Sequence, residues 1–153
     1  MKKTLILLFT ILVRNVNAQQ FQKGNVVANL GLNFGRSNFA VPLSVEYSPI
    51  NNIGAGVSLW AGGDGYNTYT FVGLRGSYYL KELFDSADFS VGASVGKFKY
   101  GSEKGPVKAI VHLMYKRYLN DQFGIYGGLN STYDGRIKTW FGVGISMRFG
   151  KYE

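Results

Sequence analysis

The sequence predicts an all-β protein, an eight-stranded antiparallel up-and-down β-barrel, and three observations carry that prediction. Apolar residues alternate with small or polar ones at a period of two through nearly all of the chain beyond Asn25, and no long stretch shows the 3.6 period of a helix. The alternating segments are about ten residues long and are joined by hairpin-sized connections, so antiparallel closure is the simplest topology. The composition suits strands and tight turns, with 21 Gly, 11 Tyr, 11 Phe, 2 Trp and only 3 Pro in 153 residues. The absence of Cys excludes disulfides and cysteine-ligated metals or clusters. A mean hydropathy of -0.03 excludes a bundle of membrane-spanning helices, and 46% hydrophobic residues exclude a disordered chain.

The strands follow in order. The first sets Val26, Ala28, Leu30, Leu32 and Phe34 against Val27, Asn29, Gly31, Asn33 and Gly35. After a turn at Arg36-Ser37-Asn38, the second sets Phe39, Val41, Leu43, Val45 and Tyr47 against Ala40, Pro42, Ser44 and Glu46. A turn by composition at residues 48–52 leads to the third, with Ile53, Ala55, Val57 and Leu59 opposite Gly54, Gly56, Ser58 and Trp60. A Gly-rich loop over residues 62–67 precedes the fourth, with Val72, Leu74, Gly76 and Tyr78 opposite Phe71, Gly73, Arg75, Ser77 and Tyr79. A polar connection is predicted over residues 81–88. The fifth strand alternates Phe89, Val91, Ala93 and Val95 with Ser90, Gly92, Ser94 and Gly96. Beyond a loop at residues 101–106, the sixth sets Val107, Ala109, Val111, Leu113 and Tyr115 against Lys108, Ile110, His112, Met114 and Lys116. A tight turn at residues 119–122 leads to the seventh, with Phe123, Ile125, Gly127 and Leu129 opposite Gly124, Tyr126, Gly128 and Asn130. A loop at residues 133–136 precedes the last, with Phe141, Val143, Ile145, Met147 and Phe149 opposite Trp140, Gly142, Gly144, Ser146 and Arg148.

The chain opens with an address. Met1-Lys2-Lys3 is a basic start, residues 4–13 form an apolar run too short to span a bilayer, and Val16-Asn17-Ala18 is a small-residue cleavage site. Residues 1–18 are therefore read as a cleaved signal peptide and residues 19–153 as one barrel domain. Removing Lys2, Lys3 and Arg14 lowers the 17 basic residues to 14 against 9 acidic ones, a net charge of +5. On an exported chain, that surplus gives no argument for nucleic acid.

Alternation alone fits both a membrane barrel and a soluble lipocalin-like one, whose apolar face points inward. The polar face decides. It is mostly Gly, Ser and Asn with bulky Trp60, Phe71, Tyr79, Tyr126 and Trp140, rather than the Lys, Glu and Thr of a wetted sheet. Small residues beside large ones suit a narrow, filled interior, and the nearly unbroken aliphatic face suits lipid. Tyr47, Tyr78, Phe89, Tyr115, Phe123 and Phe149 all fall on the apolar face at one rim, as an aromatic girdle would. Lys97 and Lys99 break the apolar face at the far end of the fifth strand, which places them above the hydrocarbon or at a bulge. Arg117 must snorkel at the near rim.

On these residues the chain resembles the small eight-stranded outer-membrane barrels of Gram-negative bacteria, the group containing the OmpA transmembrane domain and OmpX. The resemblance covers residues 24–149. Its most specific element is the terminal strand, residues 140–149, which looks like the assembly signal read by the barrel-insertion machinery. Gly144, Met147 and Phe149 match the signal's glycine and hydrophobic positions, while Gly142 stands where a polar residue is usual and four residues follow the terminal aromatic. The resemblance implies an outer-membrane location, with outer-membrane lipid and the assembly machinery as partners. No peptidoglycan-binding domain is expected.

Few residues suggest chemistry. Glu46, Arg75, Lys116 and Arg148, with Lys108, face the predicted lumen. The first reading is a structural plug in which Glu46 bridges Arg75 and Arg148 while Tyr79 and Tyr126 supply hydroxyls, because an unpaired charge there costs several kcal/mol or so. The alternative is a small gated anion path, set against an interior just wide enough for side chains. His112, the one histidine, would need a nucleophilic Ser and a carboxylate to act in a hydrolase. Lipid A deacylases of similar build place Ser two residues from His, and here that position is Met114. The Gly-rich residues 62–65 lack a phosphate loop's context, and no metal or cofactor site is expected. The surface connections at residues 62–68, 100–106 and 133–138 are candidates for an unidentified extracellular partner. The function predicted is non-enzymatic, structural or interactional, with a small pore, a lipid-modifying enzyme and a soluble lipocalin-like binder as alternatives.

Overall fold

The alternation becomes eight strands: β1 (Val26–Phe34), β2 (Phe39–Ile50), β3 (Ile53–Gly63), β4 (Thr68–Leu80), β5 (Ala87–Tyr100), β6 (Glu103–Tyr118), β7 (Phe123–Tyr133) and β8 (Ile137–Phe149). The computed structural model describes residues 21–63, 66–80, 87–133 and 135–150. The leader predicted over residues 1–18 lies outside them. Every strand pairs antiparallel with its sequence neighbours, and β1 pairs with β8, so the sheet closes on itself and has no edge. Following the register from Val26 through Tyr47, Ala55, Gly76, Ala93, Val111 and Ser131 leads to Thr139, whereas Val26 itself pairs with Phe149, a stagger of ten residues. Ten steps of ~3.3 Å along the strands against eight gaps of ~4.8 Å across them correspond to a tilt of about 40°.

The distribution of side chains is inside out. Leu30, Leu43, Leu59, Val72, Leu74 and Ile145 point outward and are exposed, whereas Asn29, Ser44, Glu46, Arg75, Lys116 and Arg148 are buried inside. A soluble barrel of lipocalin type has the reverse arrangement, and an uninterrupted apolar belt of this extent is far beyond what a water-soluble monomer presents.

Several predicted boundaries move. The polar connection ends before residue 87, so Asp88 lies within β5 and is buried. The predicted loop at residues 101–106 shrinks to a turn at Gly101-Ser102, where Gly101 takes a φ of 54° that a Cβ would oppose. β6 starts at Glu103 and absorbs an extra residue through a bulge between the Lys97 and Lys99 pairings. Lys97 and Lys99 nevertheless keep their outward orientation. The connections at residues 62–68 and 133–138 also shorten, because β3 runs to Gly63, β4 begins at Thr68, β7 ends at Tyr133 and β8 begins at Ile137.

Candidate functional site

The interior has two layers. The lower one, near the ends where β1 begins and β8 finishes, holds the charges. Arg75 Nε on β4 donates to Glu46 Oε1 on β2 in a buried ion pair. Tyr79 OH donates to Glu46 Oε2 at 3.2 Å, and Lys116 Nζ on β6 donates to Tyr79 OH at 3.0 Å. Lys116 thus reaches the carboxylate through a phenol, and its ammonium also sits 4.8 Å from the centre of the Tyr79 ring. The second guanidinium nitrogen of Arg75 lies 3.0 Å from Met114 Sδ.

Arg148 does not join Glu46, as the sequence reading expected. It pairs with Asp88 at 2.7 Å, a carboxylate assigned from the sequence to a connection, and its guanidinium stacks 3.7 Å from the centre of the Tyr118 ring. Tyr126 takes another role as well. Its hydroxyl packs where a Cβ on Gly31 would stand and its ring where one on Gly144 would, so these two glycines make room for it. Buried side chains continue the polar layer across strands, with Asn29 Nδ2 donating to Ser44 Oγ at 3.0 Å and Ser146 Oγ to Asn29 Oδ1 at 2.9 Å.

Phe21, which precedes the first predicted strand, closes this end. It is 1% exposed and packs 4.1 Å from the Tyr79 ring, centre to centre. Backbone bonds hold the segment in place: Asn52 N donates to Phe21 O at 3.0 Å and Gly24 N to Ser48 O at 2.8 Å.

His112 faces the lumen, as predicted. Its Nε2 lies 3.0 Å from Ser77 Oγ, a serine in the same row of the wall on β4, reached over Gly92 of β5 rather than from a neighbouring position on β6. Among the described residues no group reaches the buried Nδ1, so no carboxylate orients the ring for nucleophilic catalysis. The pair is also buried away from the lipid face, with His112 1% and Ser77 5% exposed.

The upper layer is aromatic. Trp60 packs edge-on against Trp140 at 5.7 Å and against Phe71 at 6.2 Å, and Phe71 meets Phe98 at 5.0 Å, with Ala40 and Ile110 completing the cluster. Lys108 belongs here and not to the charge network: its Nζ lies 5.6 Å from the Phe98 ring centre and 6.0 Å from that of Tyr100. Predicted side and observed side agree, but the height differs.

The six residues assigned to a girdle lie at one end. Tyr47 and Phe149 both pair with Val26, Tyr78 pairs with Ile53, Phe89 with Tyr115, and Phe123 with Met147. All face outward; five are exposed and Phe89 is half-buried. A second outward band at the other end escaped the sequence reading: Phe34 pairs with both Phe39 and Phe141, and all three are exposed. The parity rule that found the first band also finds this one. Phe39 and Tyr47 on β2 are separated by eight residues, as are Phe141 and Phe149 on β8 and Lys97 and Phe89 on β5. That spacing is about 26 Å along a strand and about 20 Å along the axis at this tilt, close to the height of a bilayer's apolar band. Lys97 therefore stands level with the second band and Lys99 beyond it. Of the terminal-strand residues, Met147 and Phe149 lie on the outward side and Gly144 on the inward one.

No family model and no curated protein matches the sequence. Solved structures do match the fold. The N-terminal β-barrel domain of Pseudomonas aeruginosa OprF superposes with a TM-score of 0.69 at 15% identity, covering 86% of this chain and 100% of that one. A de novo designed transmembrane β-barrel gives 0.63 at 10% identity, over 86% and 100%. Ail, the attachment invasion locus protein of Yersinia pestis, gives 0.58 at 11% identity, over 84% and 100%. The fold is that of the eight-stranded transmembrane β-barrels. A designed barrel among the matches makes plain that such similarity speaks to architecture and not to activity.

Proposed function

We propose that the chain is an outer-membrane barrel of a Gram-negative bacterium, exported through a cleaved leader at residues 1–18, non-enzymatic, and closed to ions. Its role is structural or one of surface interaction. The observation that carries this reading is the two-layered interior, in which paired charges fill the lower half and fused aromatic packing fills the upper. Glu46, Lys116 and Phe71 are each 0% exposed, so an ion would have to displace both a buried ion pair and a packed ring cluster. The orphaned Nδ1 of His112 supports the non-enzymatic reading. Outer-membrane lipid contacts the apolar belt, and the terminal strand, through Gly144, Met147 and Phe149, is read by the assembly machinery. Attachment, named for the Ail protein, is the kind of surface role such a scaffold serves.

One observation favours a pore as the second reading: Arg75, Lys116 and Arg148 outnumber Glu46 and Asp88 in the lower layer, which would favour anions in any opened state. Planar-bilayer recording separates the two. The closed reading gives no stepwise current for the unaltered protein or for Glu46→Ala and Arg148→Ala, both of which lose thermal stability. Stepwise conductance that changes in those variants establishes the pore.

A further inference from the structure

Eight residues separate the lower outward band from the upper one, and the same step can be taken up each strand. On the neighbouring strands β8, β1 and β2 it ends on Phe141, Phe34 and Phe39. On β3, β4, β5 and β6 it runs from Ile53 to Ala61, from Tyr78 to Thr70, from Phe89 to Lys97 and from Tyr115 to Val107. The upper rim is therefore ringed by phenylalanines on one side of the barrel only. On the other side a lysine among short side chains takes their place.

Lys97 and Lys99 both point outward from β5 and are exposed, with their backbones ~7 Å apart along one face of the strand. Lys97 pairs with Val72 on β4 and Val107 on β6, and Lys99 pairs with Thr70 on β4, which pairs in turn with Ala61 on β3. These four neighbours are short, so the wall beside the lysine stems is shallow. The β5–β6 bulge falls at the same place, because Gly105 and Pro106 stand between the residues paired with the two lysines. A Cβ on Gly105 would run into the Phe98 carbonyl, and such bulges gather at barrel rims and beside sites. Among the described residues neither Lys97 nor Lys99 is in an ion pair, and Glu103, the acid that begins β6, is paired in register with Tyr100.

A charge facing hydrocarbon is costly, and a lysine escapes the cost by lifting its ammonium along the stem to the headgroups. Lys97 does so from the level of the upper band, and Lys99 stands about 5 Å higher along the axis, where the headgroups are. Two ammonium groups this close suit one doubly charged anion, and the Thr70 hydroxyl adds a donor beside them. We propose that the outer wall of β4 and β5 at the upper rim binds the phosphomonoester of an anionic membrane lipid, held by Lys97 and Lys99. The inference rests on the proposed function only for the lipid that surrounds the barrel.

Native mass spectrometry of the protein, purified from membranes and delipidated in detergent, counts bound lipids directly. One phosphatidate is retained roughly tenfold more tightly than phosphatidylglycerol, whose diester carries a single charge, and phosphatidylcholine is held more weakly still. Lys97→Gln and Lys99→Gln each weaken phosphatidate by about three- to tenfold, and the double variant brings it to the level of phosphatidylcholine. Replacing both lysines with Arg keeps the preference, and Arg117→Gln, at the outward side of the lower rim, leaves it unchanged. Equal retention of phosphatidate and phosphatidylglycerol, full affinity in the double Gln variant, or an equal loss in Arg117→Gln overturns the site. Displacement of the lipid by inorganic phosphate in roughly tenfold excess identifies a site for the free anion and overturns the lipid assignment. Heat-dependent gel mobility is run on every variant. A closed barrel that shows no preference for phosphatidate overturns this inference and leaves the proposed function standing.

Discussion

Replacing Glu46 with Gln tests the lower layer at its centre. The carboxylate is 0% exposed, pairs with Arg75, which is itself 6% exposed, and accepts the Tyr79 hydroxyl that holds Lys116. Neutralising it keeps the volume and leaves two cations facing no carboxylate of their own. Breaking a buried pair from one side costs ~3–5 kcal/mol, and weakening the Tyr79 bond adds about 1 kcal/mol. Glu46→Gln is therefore expected to lose about 4–6 kcal/mol. The double variant Glu46→Gln/Arg75→Met removes the stranded guanidinium as well and recovers most of that loss, because well-packed apolar residues replace buried pairs at little cost. The assay is reversible urea unfolding in lipid vesicles followed by tryptophan emission, with gel mobility as an independent reading of the closed barrel. A loss below 1 kcal/mol in the single variant, or a double variant no more stable than the single one, refutes the pairing.

Other expectations follow from the same structure. Phe21→Ala removes the ring packed on Tyr79 at 4.1 Å and should cost about 3 kcal/mol in the same unfolding assay, with little effect on the rest of the barrel's strand content by circular dichroism. Gly31→Val puts a side chain where the Tyr126 hydroxyl and the Val143 carbonyl oxygen lie and should destabilise by at least ~1–3 kcal/mol, and shortening Tyr126 to Phe or Leu relieves only part of the loss because the backbone contact remains. Leu74→Lys places a charge on the outward face midway between the aromatic bands, at a position 73% exposed. In vesicles it should cost ~2–4 kcal/mol of folding free energy, whereas a water-facing position would tolerate it within ~0.5 kcal/mol.

Face was legible in the sequence and height was not. A period of two assigns every residue to the lumen or to the outside, which is why Glu46, Arg75, Lys116 and His112 were correctly placed inward. The height at which each stands depends on register and on the ten-residue stagger, and neither is encoded in alternation. Lys108 shows the difference, since it shares a face with Lys116 yet belongs to the aromatic mouth. Partners on non-adjacent strands were equally hidden. Ser77 meets His112 over the Gly92 between them, and Arg148 finds Asp88 rather than Glu46, because register and barrel closure rather than sequence spacing bring these groups together. Asp88 was misassigned because an inward-facing acid at the start of a strand has the composition of a turn. Phe21 was missed because one ring ahead of the first alternating segment carries no periodic signal.

The account rests on a closed barrel whose apolar side meets lipid, and electrophoresis of the detergent-solubilised chain in a denaturing gel, with and without boiling, tests that most directly. The account predicts an unboiled band of altered mobility that moves to the unfolded position on heating. A single band unaffected by heat, from a protein that stays soluble and monomeric once detergent is removed, would contradict it.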